Sequence, residues 1–180
     1  PGFLLDPRPA ATPGRICRHD RAAFLFVVPV MTPNERAYLD MLAWSEGTSR
    51  VNGSANGYNV IVGGSLFSDY SDHPRRLVDL PKLGIKSSAA GRYQLLAKYF
   101  DAYKRQLGLK DFSPESQDAI ALQQIREQNA INDVRAGHIR DAIRKCANIW
   151  ASLPGAGYGQ HENKIDQLIA VYVRAGGVIA

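Results

Sequence analysis

The sequence predicts an α+β fold that is mostly helical, with one small β-hairpin inserted early. Three observations predict it. Apolar residues recur at helical spacing in five separate stretches from residue 33 onward. Only one short run, Tyr58-Asn59-Val60-Ile61-Val62, has the β-branched and aromatic character of a strand. The balance of 45% hydrophobic and 22% charged residues over 180 positions fits a globular chain with a core of its own.

The first thirty residues differ from the rest. Pro7, Pro9, Pro13 and Pro29 break them up, and Arg15, Arg18 and Arg21 precede a short apolar run at 22–28. A basic region followed by an apolar one resembles a secretory signal. The run is short, Pro29 interrupts it, and no A-x-A-like site follows. Residues 1–30 are therefore expected to be a non-native or disordered N-terminal extension, with Met31 as the natural start and 31–180 as the domain.

Thr32-Pro33-Asn34-Glu35 has the form of a capping box with proline at the first helical position. Ala37, Tyr38, Met41, Leu42 and Ser45 follow at helical spacing, and Gly47 is a stop. This predicts a helix over about 33–46, with Glu46 at its C-terminal end. Residues 48–57 read as a polar loop. The run 58–62, Gly63-Gly64 and Ser65-Leu66-Phe67 then predict the hairpin, and 69–86 an irregular loop. Further helices are predicted over 90–107, from the Ser113-Pro114 start, over 133–153 and over 163–175, the last stopping at Gly176-Gly177.

The formal net charge of +5 fits several anionic partners, from a nucleic acid to a bacterial wall. No dense Lys/Arg run is interleaved with aromatics, so no nucleic-acid partner is expected. The two cysteines, Cys17 and Cys146, are far apart and belong to no CxxC or Cys/His cluster. No metal and no cofactor is expected, and Cys146 reads as a buried free thiol.

Glu46 sits where a helix ends. The partial negative charge there, with Trp44 and Met41 nearby, would raise its pKa and make it a proton donor. Position alone fits a solvated helix-end glutamate better. The stretch Leu42-Ala43-Trp44-Ser45-Glu46-Gly47-Thr48 adds a resemblance. It is followed in order by Gly57-Tyr58-Asn59-Val60-Ile61-Val62-Gly63-Gly64, by Leu66-Phe67-Ser68-Asp69-Tyr70-Ser71-Asp72-His73-Pro74 and by Ala90-Gly91-Arg92-Tyr93-Gln94. The segments 106–114, 121–125 and 148–160 continue the series. Together they resemble the bacteriophage lambda endolysin family of lytic transglycosylases over nearly all of residues 31–177.

The resemblance implies a lysozyme-like fold in which the hairpin forms one lip of a cleft. It implies peptidoglycan as substrate and scission of the β-1,4 bond between N-acetylmuramic acid and N-acetylglucosamine. The product would be a 1,6-anhydro sugar, with Glu46 as the catalytic glutamate. It also implies a holin as partner, with synthesis in the host cytoplasm and action in the periplasm. A monomer is expected. Candidate substrate contacts are Tyr58 and Asn59 on the lip, Asp72 and His73 in the irregular loop, Gln94 and Tyr158. The family pattern has an acidic residue where Asn59 stands, which weakens any role for that position as a charge. Gly91-Arg92-Tyr93-Gln94 is expected to open a helix and resembles the Gly-x-x-Gln element of lytic transglycosylases. Tyr158 lies in the glycine-rich stretch 155–160, and Trp150 is expected in the core. Two other readings stand beside this one: a hydrolytic muramidase using Asp69 or Asp72 as second carboxylate, and a non-catalytic wall-binding module.

Overall fold

The computed structural model describes residues 31–81, 83–159 and 161–180. The expectations for residues 1–30, including Cys17, and for Gln160 lie outside the described residues. Helix α1, Pro33–Ser45, begins as its sequence dictates. Thr32 Oγ1 accepts from the Glu35 N–H at 3.2 Å, the Glu35 carboxylate accepts from the Thr32 N–H at 2.7 Å, and Pro33 fills the first turn. Its apolar residues Ala37, Tyr38, Met41, Leu42 and Ala43 are fully buried, so α1 is the central post of the larger core.

Around it pack α3 (Pro114–Glu127), α4 (Ile131–Ala136) and α6 (Ile165–Arg174), while α5 (Ile139–Cys146) rests on α4 and α6. Cys146 is buried and free, and Trp150 is 4% exposed, both as expected. The helix predicted over 133–153 is split in two at Gly137. That residue has φ +83°, and a Cβ there would lie 2.3 Å from the Val178 carbonyl oxygen. Helix α2 is Ala97–Leu107, with Phe100 buried in a second cluster that includes Ile61, Phe67, Ala90, Leu95, Phe112 and Ile120.

Strand formation departs from the expected register. The two-stranded antiparallel sheet is β1 (Val78–Leu80) with β2 (Ile85–Ser87), inside the stretch expected to be irregular. Residues 59–67 do double back, with the Ile61 N–H on Ser65 O at 2.7 Å and the Phe67 N–H on Asn59 O at 3.0 Å. Only the single bridge Val60–Leu66 joins the two arms, because the next residues change partner. Ile61 bridges Ala90, and the Val62 N–H reaches Ala89 O at 2.9 Å. The α+β class holds, with the regular hairpin further along the chain than expected.

The helix expected from residue 90 begins only at Ala97. Gly91 has φ +79° and Gln94 φ +53°, conformations incompatible with a right-handed helix. The segment is instead a tight turn, closed by paired hydrogen bonds between Ala90 and Leu95 at 3.0 and 2.9 Å. A Cβ on Gly91 would meet Gln117 Oε1 at 2.3 Å and Phe112 at 2.8 Å, so the turn is packed as well as bent.

Candidate active site

Glu46 caps α1, and its backbone N–H still bonds back to Leu42 O at 2.9 Å. The chain then leaves through Gly47 at φ +77° into a short 3₁₀ turn, Thr48–Arg50. The residue is half-buried. Burial of its carboxyl group raises the pKa above the ordinary 4.5, partly offset by a hydrogen bond donated by Ser152. That bond, Ser152 Oγ–H to Glu46 Oε1, is 2.5 Å long.

Two chain segments converge on this helix end. Thr48 Oγ1 lies 2.7 Å from Arg92 O, which ties the 91–94 turn to the residue two beyond Glu46. The Trp150 indole N–H donates to Tyr93 O at 3.3 Å and brings the 150–152 segment to the same turn. Gln94 belongs to that turn. Its amide Nε2 donates to Gly91 O at 3.0 Å, so the side chain braces the loop of which it is part.

Tyr58 has its hydroxyl engaged within the protein. Its hydroxyl donates to both Asp118 oxygens at 2.9 and 3.1 Å, and the Tyr93 hydroxyl donates to Asp118 Oδ1 at 2.6 Å. Desolvation and the neighbouring Asp118 charge push the Tyr58 hydroxyl up to about 12. The Arg92 guanidinium lies 4.8 Å over the Tyr58 ring, donates to Asn56 O at 3.0 Å and pairs with Asp40. Arg92 is 2% exposed. This network joins α1, the 56–58 loop, the 91–94 turn and α3 beneath the site. Its members Arg92, Asp118 and Asp40 were not singled out from sequence.

A groove of about 630 Å³ lies beside Asn59, with Leu66, Phe67, Ser68, Asp69 and Asp72 among its walls. Glu46 does not line it. Asn59 Oδ1 accepts from the Ala55 N–H at 2.9 Å, which fixes the polar loop at the groove edge. Asp72 binds Arg75 Nε at 2.8 Å and Lys104 Nζ at 3.3 Å, and these donors hold its carboxyl down to about 2. Arg75 also grips Asp101, with contacts of 2.5 and 3.0 Å, so Asp72 belongs to a clamp between this loop and α2. The pair is well exposed, at 43% for each side chain, and solvent screens it. Asp72→Asn is expected to cost no more than about 1 kcal/mol in a urea melt at neutral pH. The contribution of Asp72 is lost as pH falls from its ordinary 3.8 through about 2, so the variant should show a flatter acid limb in that window.

His73, expected either at the surface or on substrate, is a core residue. It is 3% exposed, with its ring centroid 4.8 Å from that of Phe112 and 5.8 Å from that of Phe100. Nδ1 accepts from the Arg75 N–H at 3.0 Å, so Nε2 carries the proton and donates to Leu95 O at 2.9 Å. Desolvation lowers its pKa and keeps it neutral.

Tyr158 lies in the glycine-rich loop that follows Ser152. The residue is 50% exposed, and its hydroxyl donates to Asn148 O at 2.5 Å. Glu162, also absent from the sequence reading, shapes this loop by accepting the Gly155 and Gly157 N–H groups, each at 2.8 Å.

The Endolysin family model matches residues 36–179. The endolysin of Escherichia phage lambda is 64% identical over 147 residues, 80% of this chain and 92% of that protein. The endolysin of Escherichia phage P2 is 50% identical over 165 residues, 85% of this chain and all of that one. Among solved structures, bacteriophage lambda lysozyme complexed with a chitohexasaccharide superposes with a TM-score of 0.79 at 60% identity, covering 83% of this chain and 97% of that one. A second structure, lysozyme from bacteriophage lambda, gives a TM-score of 0.76 at the same identity and coverage.

Proposed function

The chain belongs to the endolysin family, and from that premise we propose that it cuts the β-1,4 bond between N-acetylmuramic acid and N-acetylglucosamine in bacterial peptidoglycan by lytic transglycosylation. The observation that carries the proposal is the state of Glu46, a carboxyl group raised in pKa by burial at a helix end and held by one hydroxyl. Such a group keeps its proton to higher pH than a free carboxylate does, as protonation of a poor leaving oxygen requires. The solved relative with a chitohexasaccharide bound supports a glycan as ligand.

The balance of the reaction is simple. Glu46 gives its proton to the glycosidic oxygen as the bond from that oxygen to C1 of the muramic acid breaks. The 6-hydroxyl oxygen of the same sugar bonds to C1, and the ionised Glu46 takes the hydroxyl proton. An attacking group already attached to the substrate has an effective molarity on the order of 10⁵ M in good geometry, so no second carboxylate is needed to hold a water. Both alternative carboxylates are otherwise engaged: Asp72 by Arg75 and Lys104, and Asp69 by the Ser71 N–H at 2.8 Å. That favours the anhydro route over hydrolysis.

Mass analysis of fragments released from purified walls tests the proposal. The expected products end in 1,6-anhydro-muramic acid and show no new reducing ends. Mainly reducing ends would assign a hydrolytic muramidase, and binding without any fragments would assign a wall-binding module.

No helix among the described residues is long and apolar enough to cross a membrane. The proposal includes synthesis in the host cytoplasm, action as a monomer, and passage to the wall once a holin has permeabilised the inner membrane. Expression of residues 31–180 with and without a holin is expected to lyse cells only with it.

A further inference from the structure

Ser152 and Asn163 stand at the two ends of the glycine-rich loop, and the Asn163 N–H closes it on Ser152 O at 2.9 Å. The Asn163 side chain is 6% exposed. Its Nδ2 lies 3.1 Å from Ser45 O, 3.1 Å from Ser45 Oγ and 3.1 Å from Ser152 O. Two of these neighbours are carbonyl oxygens, which only accept, so the NH₂ end of the amide must face them. Ser45 Oγ and Ser152 Oγ are 2.8 Å apart.

With Glu46 ionised, the hydroxyl protons of this cluster can be placed. Ser152 has one hydroxyl proton, and Glu46 Oε1 at 2.5 Å takes it. Its contact with Ser45 is therefore as acceptor; the Ser45 proton is shared between Ser152 Oγ at 2.8 Å and Ser152 O at 3.3 Å, and the two Asn163 amide protons are shared among Ser45 O, Ser45 Oγ and Ser152 O. The chain runs one way, from amide to hydroxyl to hydroxyl to carboxyl. The C-terminal end of α1 supplies Ser45 and Glu46 as neighbours, so the relay is anchored on the same helix end that presents the acid.

We propose that Asn163, Ser45 and Ser152 are positioning residues that keep Glu46 Oε1 a standing hydrogen-bond acceptor and thereby confine the transferable proton to Oε2. In the acid form, a proton on Oε1 would require the Ser152 hydroxyl to turn to Ser45 Oγ and the Ser45 proton to move onto the longer 3.3 Å contact with Ser152 O, so the conformer with the proton on Oε2 is favoured. After transfer, the ionised group stays held in place, ready to take the next proton on the same oxygen. The inference rests on Glu46 being the acid and base.

The test uses the full chain and soluble peptidoglycan fragments, with kcat and KM measured across pH. Ser152→Ala is expected to lower kcat about tenfold with KM unchanged. It should also move the basic limb of the profile to higher pH, because the carboxylate loses a donor that favours ionisation. Ser152→Thr, which retains the hydroxyl, is expected to recover most of kcat and the original limb. A Ser152→Ala enzyme with wild-type kcat and limb overturns the proposal, and so does a loss of kcat with an unmoved limb that threonine does not recover. If Ser152→Ala does not fold, Ser45→Ala takes its place, expected to shift the limb in the same direction by less; an unchanged profile there also overturns it. Glu46→Gln serves as the control that separates the two levels. If it is inert while Ser152→Ala is unaffected, only the relay fails; if it retains activity, the reading of Glu46 beneath the relay fails.

Discussion

Glu46→Gln is expected to lower wall-cleaving activity by a factor of about 10² or more, the scale on which a positioned general acid contributes. Glutamine fills the same volume and still accepts the Ser152 hydroxyl bond, so the fold and glycan binding should survive. The same substitution carries a stability signature. Burial raises the native carboxyl above 4.5, so the native state holds this proton more tightly than the unfolded chain does. The stabilisation from that site is complete below about 4.5 and is lost as pH climbs through the native value. The glutamine variant titrates nothing there. It should therefore melt at a higher temperature than the parent at neutral pH, with the gap closing as the pH drops below that range. A variant that clears wall suspensions at the parental rate would remove Glu46 from the chemistry. A melting gap that does not change with pH would mean that its carboxyl is not desolvated.

Arg92→Ala is expected to be the costliest single change in the buried network, at about 3 kcal/mol or more in a urea melt. Arg92 is 2% exposed, and its removal leaves the Asn56 carbonyl and Asp40 without their donor and opens a void under the Tyr58 ring. Asp40 is 39% exposed and regains some water, which puts the cost toward the lower end of the range for broken buried pairs. Activity should fall further than stability alone explains, because the side chain also fixes the 91–94 turn to Asn56 and to Asp40 on α1, the helix that ends in Glu46. A loss below about 1 kcal/mol would show that the two tyrosines and Asp118 hold the turn without it.

What could be read from sequence was what is encoded locally. The Thr32–Glu35 box and the Ser113-Pro114 start each act across three residues, and both form as read. The 90–107 segment misled because Tyr93, Leu96 and Phe100 carry a helical spacing, while Gly91, packed on Gln117 and Phe112, and Gln94, inside the turn closed by Ala90 and Leu95, both take positive φ. Gly137 broke a predicted helix for a similar reason, since the C-terminal residues occupy the space a side chain would need. Among the candidate residues, Glu46 and Gln94 were singled out by resemblance to a family pattern. Ser152 and Asn163 were not, because their bonds to the end of α1 span 106 and 118 residues and no short motif announces them. His73 looked exposed because histidine beside proline and aspartate suits a turn; two aromatic rings and two backbone bonds make it part of the core instead.

The residues after α6 do not trail away. The Val178 N–H bonds to Asn34 Oδ1 at 2.9 Å, the Tyr172 hydroxyl to Val178 O at 3.1 Å, and the Ala180 N–H to Gly137 O at 3.2 Å. Asn34 stands in the opening turn of α1, so the chain leaves the domain beside the point where it enters. A domain stitched shut in this way has the geometry of a cassette: a short linker could join residue 180 to residue 31 and new ends be cut elsewhere, or the whole unit be spliced into a loop of a host protein. In either arrangement the mouth of the groove, built from the 59–76 segment, would keep its shape.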